Sequence, residues 1–159
     1  MPAEPLLDLE KTDLTHLVAT REDIQKQIKQ RGRFALLDGI LDFGRESNVI
    51  VGFKEIRADD WWASDHIPGR PIFPGALMIE AAAQLATYDY LVRNPPKEEL
   101  FLGFGGLDSV RFRGLVEPGV RMLFAAKAVR VRTRMFTYTA QGFVGGNLVF
   151  EGEIMGLIV

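Results

Sequence analysis

Ile24 and Ile28 stand four residues apart among polar neighbours, which is the spacing of one helical face. Thr20 followed by Asp23 has the form of a helix start, with a hydroxyl to cap and an acid in the first turn. The pattern predicts a short amphipathic helix over 21–30, ended by Gly32, and an irregular leader over residues 1–20. Segments 34–43 and 48–56 are rich in β-branched and large apolar residues, with Gly44-Arg-Glu-Ser47 between them, so they predict a hairpin. Residues 59–75 predict a long loop stiffened by Pro68, Pro71 and Pro74, and a loop of that length in a compact domain is often functional. From Gly75 to about Arg93 the chain predicts one long helix, stopped by Asn94-Pro-Pro96. Leu77, Met78, Ile79, Ala81, Ala82, Ala83, Leu85 and Ala86 make it apolar around most of its girth, so it should be buried. Four strand-like runs follow, at about 100–113, 120–132, 134–144 and 147–157, with Pro118-Gly119 and Gly145-Gly-Asn147 as the clearest turns. A hairpin, a buried helix and a meander are together satisfied by one antiparallel sheet wrapped around a central helix, an α+β class, in a single domain over 21–159.

Composition narrows the chemistry. With 159 residues and 47% apolar content the chain can bury a core without staples. It has no cysteine and two histidines, which removes disulfides, thiolate chemistry and a His-rich metal site, so no metal is expected. A net charge of −2 gives no global reason to expect nucleic acid. Residues 1–10 lack the basic start and apolar run of a signal peptide, and the long helix carries Glu80, Gln84 and Asp89, so a soluble cytoplasmic protein without a membrane span is the expectation.

One segment concentrates the ionisable candidates. Asp65-His-Ile-Pro-Gly-Arg-Pro-Ile-Phe-Pro-Gly75 puts His66 in the proline-stiffened loop, and Glu80 follows early in the apolar helix. Histidine titrates near neutral pH and suits a general base. A carboxyl group set among Ile79 and Ala81 should be desolvated and so hold a proton it can donate. Set against this, His66 could be an inert structural loop residue, and Glu80 could pair with Arg70 or Arg111.

His66-Ile-Pro-Gly-Arg-Pro-Ile-Phe-Pro-Gly75 followed by Glu80-Ala-Ala-Ala-Gln84 resembles the signature of 3-hydroxyacyl-[acyl-carrier-protein] dehydratases of the FabZ type, in which a helix Glu follows a loop His by fourteen residues and a Gln stands four beyond. Phe104-Gly-Gly-Leu-Asp-Ser-Val-Arg-Phe-Arg113 and Val116-Glu-Pro-Gly119 resemble the family's later strand and turn, and the similarity spans roughly 21–159. The resemblance implies the hot-dog fold and a homodimer, with hexamers as trimers of dimers one further possibility. His66 of one chain would meet Glu80 of the other, although the loop could also close the pair within one chain. It implies no cofactor of the protein's own, since the substrate arrives on the phosphopantetheine of acyl carrier protein. His66 and Glu80 are then the catalytic pair. The amide of Gly75 is the candidate donor to the thioester oxygen, with the missing side chain leaving room for the substrate. Gln84, one turn below Glu80, is placed to orient its carboxyl group.

The remaining substrate-binding candidates are Phe73, Phe104 and Gly105, with Ile72, Phe101 and Phe112 as further apolar walls. An acidic carrier needs a basic dock. Residues 111–134 hold seven Arg or Lys against one acid. Arg111 and Arg113, and likewise Arg130, Arg132 and Arg134, alternate so that a continuous strand would present each set on one face, either as a dock or as a solvated surface. Asp65 and Ile67 depart from the Gly and Phe usual in the family, and Gln30-Arg-Gly-Arg33 replaces a His- and Pro-containing approach to the first strand. The alternatives are a hot-dog enzyme acting on coenzyme A thioesters, as hydratase or thioesterase, and a non-catalytic acyl-binding subunit.

Overall fold

A computed structural model describes residues 1–159. The elements run β1 (Ala19–Thr20), α1 (Arg21–Gln27), a 3-10 turn (Gly32–Phe34), β2 (Gly39–Asp42), β3 (Val49–Ile56), α2 (Trp61–Asp65), α3 (Gly75–Arg93), β4 (Leu102–Phe112), β5 (Val120–Val131), β6 (Met135–Val144) and β7 (Asn147–Ile158). All seven strands join one antiparallel sheet in the order β1-β2-β3-β5-β6-β7-β4. The sheet curls around α3, whose Ala81, Ala82, Leu85 and Ala86 are fully buried. Three of these are alanines, so the helix axis can lie close to the strands. This is the hot-dog fold. No helix is long and apolar enough to cross a membrane.

Several local readings change. The approach to β2 is not a strand: residues 32–34 turn, and only Gly39–Asp42 pairs with β3. The backbone of Phe34 and Leu36 is instead bonded to a side chain, that of Gln84. The long loop contains α2 ahead of its first proline, and this short helix buries Trp62 edge-on against Phe73 at 5.2 Å. The β6–β7 hairpin closes through Gly145 and Gly146, both at positive φ, between the paired residues Val144 and Asn147. That conformation is open to glycine at little cost and matches the twist of the strands. In the leader, Leu7 is buried against Val49, Val51, Ala125 and Phe143 on the sheet face away from α3. There the buried Gln141 accepts from the Leu6 amide at 2.7 Å and donates to the Glu4 carbonyl at 2.9 Å.

α3 is not covered all round. Ala76 is exposed, and Ile79, Glu80, Ala83 and Thr87 are half-buried, while their neighbours are mostly buried. Steps of three and four place these residues on one stripe. The core claims the rest of the helix and leaves this stripe open, with Glu80 on it.

Candidate active site

His66 caps the C-terminus of α2, where its amide donates to the Trp62 carbonyl at 2.8 Å. Its ring is exposed, and Nδ1 lies 2.9 Å from the Ile72 carbonyl oxygen. A carbonyl only accepts, so Nδ1 carries a hydrogen, and in the neutral form of the ring Nε2 keeps its lone pair. The Pro68–Pro71 turn folds Ile72 back to meet the ring. Asp65 points elsewhere: its carboxylate accepts from the Ser64 hydroxyl at 3.0 Å and makes no bond to His66.

Glu80 has no ion-pair partner in the chain, so the pairing with Arg70 or Arg111 does not form. Its carboxylate accepts from Gln84 Nε2 at 3.0 Å. Gln84 is 1% exposed and held at both ends of its amide. Nε2 also donates to the Phe34 carbonyl at 2.6 Å, and Oε1 accepts from the Leu36 amide at 3.2 Å. Those two backbone groups orient the amide, and the amide orients the carboxyl group. Replacing Gln84 by Ala leaves the Leu36 N–H and the Phe34 carbonyl without partners. The expected cost is about 1–3 kcal/mol in urea denaturation, together with a lower kcat than wild type.

Pro74 precedes α3, and its carbonyl accepts from the amides of Leu77 and Met78. The amides of Gly75 and Ala76 therefore lead the helix without intrahelical partners, at the positive end of its dipole. The open space expected beside Gly75 is taken: a Cβ there would lie 2.8 Å from the Phe112 ring, so glycine is needed to let that ring pack.

Glu80 and Phe104 both line two cavities along the open stripe. One, of about 120 Å³, runs inward past Ala83, Gln84 and Phe136. The other, of about 480 Å³, opens outward between Ala76, Ile79 and the Gly105–Leu107 stretch of β4. Phe101 lines a third cavity, whereas Phe73 lies in the core against Trp62. A separate cavity of about 570 Å³ is a charged basin around Arg21, Asp38, Lys54 and Asp60, and touches neither His66 nor Glu80. Within one chain no hydrogen bond joins His66 to Glu80.

The arginines do not form the two flat rows that continuous strands would give. β4 shifts register between Asp108 and Arg111 and ends at Phe112, and β5 shifts between Ala128 and Arg130 and ends at Val131. Arg113 donates to Glu151 at 3.0 and 3.3 Å, and the guanidinium holds that carboxyl below its ordinary range. Arg111 donates to the Val110 carbonyl. Arg130, Arg132 and Arg134 are exposed, without ion pairs, at the β5–β6 turn. This turn lies near the strands that wall the inward cavity. The Ile158 amide donates to the Arg134 carbonyl, and Phe104, Gly156 and Phe136 stand side by side across β4, β7 and β6.

Fold and site geometry together define a hot-dog protein with a carboxyl group, Glu80, on the open stripe of its central helix beside a cavity. Residues 28–153 match the family model described as FabA-like domain, and the chain belongs to that family. It is 36% identical over 140 residues to the 3-hydroxyacyl-[acyl-carrier-protein] dehydratase FabZ of Campylobacter jejuni, covering 86% of this chain and 94% of that protein. It is 35% identical over 134 residues to the FabZ of Moorella thermoacetica, covering 83% and 91%. Among solved structures, the dehydratase heterocomplex ApeI:P from Xenorhabdus doucetiae superposes with a TM-score of 0.71 at 12% identity, over 86% of this chain and 90% of that one.

Proposed function

We propose that the protein is a 3-hydroxyacyl-[acyl-carrier-protein] dehydratase of fatty acid biosynthesis, a lyase that converts (3R)-3-hydroxyacyl thioesters to trans-2-enoyl thioesters in the cytoplasm. The observation that carries this reading is the pair of pre-set groups: His66 with Nε2 unpartnered in the chain, and Glu80 held by Gln84 beside a cavity that Ala83, Phe104 and Phe136 help to line. FabZ relatives at this identity support it.

His66 Nε2 takes the proton from C2, and the C2–H electrons move onto the thioester oxygen as an enolate. The free amides at the start of α3 stabilise that oxygen. The enolate then collapses to form the C2–C3 double bond. The C3–O bond breaks, and the carboxyl group of Glu80 donates a proton to the departing hydroxyl, which leaves as water. Glu80 ends as carboxylate and His66 as imidazolium, and proton return restores the starting state. No cofactor takes part.

The pair is completed by a second copy. β4 is an edge strand of eleven residues with Phe104 and Leu107 exposed, an arrangement prone to pairing with another chain. Antiparallel pairing of β4 with β4 of a second copy would cover this edge. It would also roof the outward cavity and bring the partner's loop over Glu80.

Acyl carrier protein docks on Arg130, Arg132 and Arg134; Arg111 lies toward the other end of β4, opposite Glu151, and stands apart from that patch. Arg113 contributes less, because Glu151 already matches its charge. The test is hydration of trans-2-enoyl thioesters carried on acyl carrier protein and on coenzyme A. Activity with both is expected, with the carrier-linked form preferred. Changing the three turn arginines to Glu should lower kcat/KM at least about tenfold for the carrier-linked substrate, mostly in KM, and far less for a short pantetheine thioester. Activity with neither carrier, at any chain length, would favour the acyl-binding reading instead.

A further inference from the structure

Two small chambers, each lined by a mixture of apolar and polar residues, adjoin along the open stripe of α3. The first is the inward cavity of about 120 Å³ that begins at Glu80. The second, of about 110 Å³, is walled by Ile28, Leu91, Leu100 and Phe101. Gln30, Thr87 and Leu102 line both, so they form the neck between them. The far chamber lies beneath the C-terminal end of the α1 segment, where Lys29, one of its lining residues, pairs with Glu99.

Thr87 lies seven residues beyond Glu80, two turns down the same face, roughly 10 Å along the helix axis. Neither the Thr87 hydroxyl nor the Gln30 side-chain amide has a hydrogen-bond partner in the chain. An alkyl chain that stops short of the neck leaves both groups hydrated. One that passes through displaces water from two polar groups before its end reaches Ile28, Leu91, Leu100 and Phe101 in the far chamber, which Gln27 and Lys29 also line. The neck therefore sets a threshold in chain length and not a smooth gradient.

We propose that Thr87, facing Leu102 and Gln30, is the residue that sets acyl chain length: short chains end in the first chamber, and long chains thread the neck into the second. This rests on the dehydratase reading above. Gln30, from the segment after α1, supplies one wall of the neck.

The test compares wild type, Thr87→Leu and Leu102→Phe, which fill the neck from opposite walls, on trans-2-butenoyl and trans-2-dodecenoyl thioesters of the same carrier. The expected result is a fall of at least about tenfold in the ratio of dodecenoyl to butenoyl kcat/KM in both variants, the scale on which pocket size discriminates alkyl groups. An unchanged ratio in both variants overturns the neck while leaving the reaction standing. An equal loss on both substrates also overturns it, since the residues would then act at the reacting end or on the fold. A wild type inactive on both substrates overturns the dehydratase reading, and the chain-length role falls with it.

Discussion

His66→Ala is expected to lower kcat for hydration of a trans-2-enoyl thioester by about 10²–10⁴-fold, the range for loss of a positioned general base or acid. Glu80→Gln should fall in the same range. Both variants should fold, because the His66 ring is exposed with one bond to the Ile72 carbonyl, and Glu80 is half-buried with one bond to Gln84. Melting temperature and oligomer mass should match wild type while turnover collapses. The double variant should be little worse than either single one, because residues acting as one unit do not contribute additively. Activity that survives both single substitutions would sink the proposed mechanism. Rescue of His66→Ala by a neutral buffer base such as imidazole would strengthen the assignment of His66 as the base.

The second large effect concerns stability. Asp89 on α3 is fully buried, accepts from the Tyr138 hydroxyl at 2.7 Å and from Arg93 Nε at 2.8 Å, and anchors the helix to β6. Arg93 also donates to the Phe43 carbonyl at 2.6 Å and lies 4.2 Å over the Phe43 ring, which ties the helix end to the β2–β3 hairpin. Burial pushes the Asp89 carboxyl above its ordinary value, while the bonds from Tyr138 and Arg93 pull it down. Asp89→Ala removes the centre of this network and strands a buried phenol and a half-buried guanidinium. The expected loss is about 3–5 kcal/mol by equilibrium denaturation, the cost of breaking a buried pair from one side. The fall in Tm should be roughly 2–4 °C for each kcal/mol. A loss under about 1 kcal/mol would mean that water reaches the site and replaces the lost partners. Asp89 lies away from both chambers, so an intact Asp89→Asn protein should keep its kcat near wild type below its lowered Tm.

The arginine rows show how local pattern can mislead. Alternation in sequence puts side chains on one face only while the strand keeps its register. The bulges near Arg111 and Arg130 and the turn at Arg132 break that condition, and Glu151, distant in sequence, matches Arg113. Gly75 teaches a related lesson. Its place at the start of α3 was legible, but the ring that occupies the space beside it comes from β4.

The sequence by itself determined the periodic elements, the order of hairpin, central helix and meander, and the His66–Glu80–Gln84 spacing, because each depends on residues near one another in the chain. Side-chain periodicity and turn residues are local quantities, and a motif of fixed spacing is a string. Only the tertiary structure decided which stripe of α3 stays open and which tautomer the Ile72 carbonyl imposes on His66. It also brought the Phe34 and Leu36 backbone to Gln84 and joined two chambers at Thr87. Each of these depends on a partner brought from elsewhere in the chain by folding. Helical spacing lists the residues that share Glu80's face, but it takes the packed sheet to show that this face is the one left uncovered.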